Sequence, residues 1–229
     1  VKQELPDKSI LSAGVLFSSI PTEVWKDPYV TGTPRQKTDR DSTGARLVYD
    51  RILGSKLELR YSYRKIDIDE ERSGAFLGLT PAERDLLNRD GDDHQLDLSY
   101  RFNFGQRHRL VPSLTLFKED RDGKAMNKEG ADLQGTYFYV NDPLTLILNG
   151  VIGASENDAA NPIYGTTQED DRYAAGAQIY YKNPFGWKPF GHEDFSVFAA
   201  GLYLLNDANI DFYDTEVVTV TAGVLVRFR

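Results

Sequence analysis

A strict alternation of apolar and polar residues constrains the fold of this chain more than any other feature. The segments 56–64 and 96–104 show the pattern best, because every second residue in them is Leu, Tyr or Phe. Successive side chains of a β-strand point to opposite faces of its sheet, so a period of two indicates strands with one apolar and one polar face. The same pattern predicts about ten strands of roughly 8–12 residues. Their apolar positions span 11–17, 45–49, 57–63, 96–104, 110–116, 133–139, 144–152, 173–181, 195–205 and 218–228.

The connections between these strands predict how the strands are arranged. Long connections are predicted at 20–41, 69–93, 118–130, 154–171 and 206–215, short ones at 51–55, 105–108 and 141–143, and a mid-length aromatic turn at 182–194. Long loops at one end of antiparallel strands and tight turns at the other are typical of outer-membrane barrels. A weak helical period is confined to 80–87, where Thr80-Pro81 resembles an N-cap followed by proline at the first helical position.

We therefore predict an all-β fold, an antiparallel membrane-spanning β-barrel that occupies residues 1–229 as a single domain. Residues 1–8 resemble the end of a strand followed by a tight turn at Leu5-Pro-Asp-Lys8. The sequence is then expected to begin within the barrel, with about two N-terminal strands missing from a barrel of roughly twelve strands.

The alternation does not say which face is buried, because a soluble barrel or sandwich would bury its apolar face in a core. The aromatic residues favour the membrane, since they collect near strand ends. They are Tyr49, Phe102, Phe104, Tyr139, Tyr181 and Phe228 at the short-turn end, and Phe17, Tyr61, Tyr63, Tyr173 and Tyr203 at the long-loop end. Two aromatic girdles around an aliphatic band match the two interfaces of a bilayer. A terminal strand ending on an aromatic residue is also typical of barrels that the outer-membrane assembly machinery inserts.

Composition argues against several classes of protein. The chain has no Cys, which excludes disulfides and thiolate metal sites. Its formal net charge of −8 argues against a nucleic-acid partner, since phosphate binding needs a basic face. The sequence has no nucleophile elbow, phosphate loop or dinucleotide fingerprint. We therefore predict that the protein is not an enzyme and binds no cofactor or metal.

The polar face of the predicted strands carries more cations than carboxylates. Its charged residues are Arg46, Asp50, Glu58, Arg60, Arg64, Asp97, Arg101, Arg109, Asp132, Arg172 and Arg227. Arginines that line a pore favour anions, so we predict a narrow passive channel for small polar or anionic solutes. Arg60 and Arg64 are expected to form a ladder with Arg101 on the next strand. If these charges only pair with one another, the barrel is instead a non-conducting structural or docking protein.

Two loop segments leave other chemistry open. Asp92, Asp93 and His94 enter a strand, where Asp and His could activate water. A surface hydrolase acting from its extracellular loops therefore stands beside the simpler interpretation of a solvated loop. Oxygen ligands in Asn88–Asp92 and in Asp120–Gly123 could bind Ca²⁺, although neither segment has the spacing of the EF-hand calcium loop.

Several loop and turn phrases give the chain a resemblance to a known family. They are Asp41–Leu47, Gly78–Leu87, Asn161–Gly165, Tyr181–Trp187 and Asn209–Asp214. On these phrases the chain resembles DUF2860, a Gram-negative family regarded as outer-membrane barrels. The resemblance implies the barrel fold and a place in the bacterial outer membrane, with the lipid bilayer and lipopolysaccharide around it. It implies no activity and no site residues.

Overall fold

The computed structural model describes residues 1–24, 36–52, 55–70, 78–186 and 195–226. Most of these residues lie in β-strands. The strands are β1 (Lys2–Glu4), β2 (Ile10–Val24), β3 (Gln36–Asp50), β4 (Leu57–Glu70), β5 (Gly91–Tyr100), β6 (Phe102–Phe104), β7 (His108–Arg121), β8 (Lys128–Asn141), β9 (Leu144–Asn161), β10 (Thr166–Lys182), β11 (Phe195–Ala208) and β12 (Thr215–Val226). An α-helix, α1, spans Pro81–Asp85, and short 3₁₀ turns span Lys124–Met126, Pro184–Gly186 and Asp211–Tyr213.

The strands form one 12-stranded sheet in which neighbours along the chain pair with each other. Its order is β1-β2-β3-β4-β5-β7-β8-β9-β10-β11-β12, and β6 pairs with β7. The pairs β2–β3, β3–β4, β10–β11 and β11–β12 are antiparallel. The predicted all-β antiparallel arrangement is therefore confirmed. Within the described ranges, no pairing joins β1 to β12, the two ends of this order.

Most of the strands are longer than predicted, and two of the predicted long loops are wrong. β9 has 18 residues and β10 has 17, and only residues 162–165 connect them. Residues 122–127 alone connect β7 to β8. Both faces become polar in these extensions, so the hydrophobic alternation stops although the backbone pairing continues. The segment 96–104, predicted as one strand, is interrupted at Arg101 between β5 and β6.

Exposure follows the alternation, and the apolar side chains are the more exposed ones. On each strand we call the side with the alternating apolar residues the apolar face and the other side the charged face. Val15 is 71% exposed, Phe17 76% and Val220 79%, all on the apolar face. Among the described residues, nine polar or charged residues are buried against six apolar ones. A soluble core shows the opposite preference.

The chain forms two compact units. The first consists of Val1–Asp97, Leu116–Ala131 and Ser155–Glu169, and the second of Leu98–Thr115, Asp132–Ala154 and Asp170–Arg229. The single domain expected for residues 1–229 stays a prediction. In the described part of the chain, no helix has the length and apolar character to span a membrane.

The helix α1 confirms the helical period at 80–87, and a capping box fixes where it begins. The backbone N–H of Glu83 donates to Oγ1 of Thr80 at 3.3 Å, and the backbone N–H of Thr80 donates to Oε2 of Glu83 at 2.7 Å. Both bonds satisfy N–H groups that have no partner within the helix. The hydroxyl and the backbone N–H of Thr80, both donating to the Glu83 carboxyl, lower its pKa below the ordinary value of 4.5.

We expect Thr80→Ala to loosen α1, because the substitution removes the acceptor for the Glu83 N–H. Amide hydrogen exchange at residues 82–85 should become roughly fivefold faster, and Thr80→Ser, which keeps the hydroxyl, should not change it.

Acidification should loosen the same helix in the unchanged protein. Because the pKa of Glu83 is lowered in the folded state, its contribution is present above the ordinary value of 4.5 and is lost as the pH falls through the lower folded value. Amide hydrogen exchange at residues 82–85, corrected for intrinsic exchange rates, would measure this loss. Protection that stays constant far below this pH would contradict the stabilising role of the Glu83 carboxylate.

Candidate functional site

The predicted charged residues of β3 and β4 lie together on the charged face of the first unit. Arg46 on β3 is opposite Ser62 on β4, and its Nε donates to Ser62 Oγ at 3.4 Å. Arg60 precedes Ser62 by two residues, so it lies on the same face. Its Nη2 lies 2.8 Å from Oε1 of Glu58, which forms an ion pair along one strand.

Arg64 also belongs to this face, and it lies opposite Gly44. A Cβ at Gly44 would overlap the backbone oxygen of Tyr63 and would lie 3.0 Å from Cγ of Arg64. Any larger residue at this position would push β3 away from β4. Gly44 thus allows the close approach of the two strands beside the Arg64 side chain.

Asp132 and Arg172 form an ion pair that passes over a strand. Asp132 lies on β8 and Arg172 on β10, with β9 between them in the sheet. Nε and Nη2 of Arg172 donate to Oδ1 of Asp132 at 3.1 and 2.7 Å. Nη2 also donates to the backbone oxygen of Ala154 on β9 at 3.4 Å. About a quarter of each charged side chain is exposed, 26% for Arg172 and 27% for Asp132.

Two more predicted residues bond to neutral amide side chains. Oδ1 of Asp97 accepts a hydrogen bond from Nε2 of Gln95 at 2.8 Å. Nε of Arg109 donates to Oδ1 of Asn103 at 3.3 Å, across the pair of β6 and β7. These contacts help to orient both charged groups.

The other predicted residues lie at strand ends or beyond the described residues. Oδ1 of Asp50 accepts from the backbone N–H of Arg51 at 2.8 Å. Arg101 lies at the break between β5 and β6. Strand alternation therefore does not place it on the face of Arg60 and Arg64, as the predicted ladder requires. Arg227 lies outside the residues that the structure describes.

The Asp92–His94 segment lies inside β5, where the alternation divides its side chains between two faces. Oδ1 of Asp92 accepts from the Tyr63 hydroxyl at 2.7 Å, and Nδ1 of His94 lies 2.8 Å from the Tyr61 hydroxyl. The Asp93 side chain lies on the opposite side of β5, which is the charged face. The arrangement gives His94 a tyrosine partner instead of the carboxylate that water activation would need.

Asp93 belongs to a charge cluster that the sequence reasoning missed. Nη2 of Arg121 lies 2.6 Å from Oδ1 of Asp93 and 2.8 Å from Oε2 of Glu119, and the Arg121 side chain is only 8% exposed. Glu119 and Arg121 fall in the predicted loop 118–130, because the apolar residues of the pattern stop near Leu116. Continuing the two-residue period beyond Leu116 would have placed both on the charged face.

The two segments considered for calcium lie side by side in the first unit. The backbone N–H of Asp122 donates to the backbone oxygen of Asp90 at 2.8 Å, and the backbone N–H of Gly123 donates to the backbone oxygen of Asn88 at 3.1 Å. The Oδ1 of Asp90 accepts from the backbone N–H of Ile68 at 2.7 Å. These oxygens stabilise the loops as hydrogen-bond acceptors. Across the described ranges, no three His, Cys, Asp or Glu side chains are grouped to hold a metal ion.

We expect Arg172→Ala to lower the free energy of unfolding by about 1–3 kcal/mol, because the partly buried Asp132 carboxylate loses its partner. Denaturant titration followed by tyrosine fluorescence would measure the change. The matched control is Arg51→Ala, which removes a 59% exposed side chain lying 3.8 Å from Asp50. An exposed pair of this kind contributes below roughly 0.5 kcal/mol. Equal losses in the two variants would show that the pair over β9 has no special role.

Comparison with known proteins supplies a family. None of the curated proteins compared with the chain matches it. A family model described as "Protein of unknown function (DUF2860)" matches residues 1–227, nearly the whole chain. The match agrees with the resemblance that the loop and turn phrases indicated. The chain therefore belongs to the DUF2860 family.

Proposed function

We propose that this chain forms a β-barrel in the bacterial outer membrane and that the barrel passes small polar or anionic solutes. The observation that carries the proposal is the exposure of the apolar face. Side chains such as Val15, Phe17 and Val220 are stabilised by roughly 1.5–3 kcal/mol each when they are fully removed from water. Soluble monomers rarely leave extended apolar surfaces exposed, whereas a bilayer would cover this one.

The strand lengths support the membrane part of the proposal. A strand crosses a bilayer with about 9–11 residues. β2 and β3 have 15 residues each, β7 has 14 and β10 has 17. Lipid tolerates no open sheet edge, so the proposal requires that the sheet closes. In this proposal lipid and lipopolysaccharide contact the apolar face, and the outer-membrane assembly machinery inserts the barrel into the membrane.

The charged face supports the transport part of the proposal. In a closed barrel with the apolar face toward lipid, this face lines the lumen. The predicted residues that lie on described strands include five arginines and four carboxylates: Arg46, Arg60, Arg64, Arg109, Arg172, Asp50, Glu58, Asp97 and Asp132. Two of the arginines are paired, with Glu58 and Asp132. The arginines outnumber the carboxylates in this set, and a positive excess along a lumen favours anions over cations.

The membrane proposal predicts that the protein needs detergent or lipid to stay dispersed. In gel electrophoresis without boiling, the folded form should migrate faster than the boiled form, because a closed barrel stays compact in detergent. A monomer that remains soluble after detergent removal would exclude the membrane barrel.

The channel proposal predicts discrete conductance steps after reconstitution into planar bilayers, with reversal potentials that show anion preference in a salt gradient. Protein that is boiled and then refolded should give the same conductance steps again. This recovery would distinguish the steps from leaks that detergent causes. A barrel that inserts and stays silent would instead be the non-conducting structural or docking protein.

A further inference from the structure

Three arginines of the charged face surround one serine on β3 and β4. Arg46 is directly opposite Ser62, and Arg60 and Arg64 flank Ser62 two residues away on either side. Arg46 is therefore the diagonal neighbour of both, and such diagonal neighbours lie about 7–8 Å apart. The flexible side chains of Arg46 and Arg64 can reach a common point above Ser62, and Arg60 lies beside it, paired with Glu58.

The positive charge of this group is only partly neutralised. Arg60 has a carboxylate partner in Glu58 at 2.8 Å, whereas Arg46 donates to the neutral hydroxyl of Ser62. In the described part of the chain, neither Arg46 nor Arg64 has a carboxylate within ion-pair distance. Like charges at neighbouring positions of a sheet are destabilising, so an anion between these arginines would be stabilised.

A small residue leaves the space beside Arg46 open. Gly14 on β2 is opposite Arg46. Nothing lies within 4 Å of the position that a Cβ at Gly14 would occupy. Arg46 is exposed, and the Arg60 side chain is 41% exposed. A solute at the charged face can therefore reach the guanidinium groups.

We propose that Arg46, Arg60 and Arg64 form a binding site for a small oxyanion. A guanidinium group offers two parallel N–H donors that match two oxygens of a phosphate or carboxylate. Two of the three groups have these donors available, and Arg60 adds charge beside them. The site deepens the proposed channel function, on which it rests for access of solutes along the charged face.

The test measures the affinity of the purified full chain in detergent micelles for inorganic phosphate, by calorimetry at low ionic strength. Arg46→Gln and Arg64→Gln should each weaken phosphate binding roughly tenfold, because each removes a charge-assisted hydrogen-bond donor. Arg51→Gln is the matched control, since it removes an exposed arginine that belongs neither to this group nor to the residues predicted to line the lumen. Its phosphate affinity should equal that of the unchanged protein.

Each variant is first checked for faster migration without boiling, which shows that it is folded. If a glutamine variant does not fold, Arg64→Lys replaces it. This variant keeps the charge but loses the planar donor pair, and it should bind phosphate several-fold more weakly. Equal affinity in all variants, or no phosphate binding by the unchanged protein, would overturn the site.

Conductance measured on the same proteins separates the site from the channel. Phosphate should reduce the chloride current through the unchanged protein and have less effect on Arg46→Gln. If phosphate changes the current of neither the unchanged protein nor Arg46→Gln, the binding site is refuted and the channel proposal stands. Phosphate binding by a protein that inserts without conducting would keep the site and refute the channel.

Discussion

The backbone ladder between antiparallel neighbours decides which side chains share a face, and both surfaces of the sheet depend on it. Between β3 and β4 the ladder sets Arg46 opposite Ser62 and Leu47 opposite Tyr61. A slip of one residue would move every side chain of a strand to the other face. The charged group around Ser62 and the exposed apolar surface are therefore consequences of one register, and neither can change alone.

The faces were predictable from the sequence because side-chain direction depends only on the period of a strand. This is why the segment 57–63 was assigned correctly, with Tyr61 and Tyr63 on one side and Arg60 on the other. The strand ends were not predictable in the same way. Residues 156–160 of β9 are polar or small on both sides, and hydrogen bonding of the backbone continues there without any hydrophobic signal.

The charged contacts were predictable only where they are local. The pairing of Arg60 with Glu58 follows from their spacing on one strand. The pairing of Asp132 with Arg172 depends on the lengths of two successive hairpins, and the sequence did not show where the β9–β10 turn lies. Arg121 was missed for a related reason, since its strand continues beyond the last apolar residue of the pattern.

The ion pair between Asp132 and Arg172 has a mechanical consequence for the second unit. A ladder of antiparallel strands normally opens one hydrogen bond at a time when a strand is peeled from its neighbour. Here the bridge joins β8 to β10 and holds the Ala154 carbonyl of β9 beneath it. A pulling force on β9 would have to strain three strands together, so this part of the sheet resists unzipping as one block.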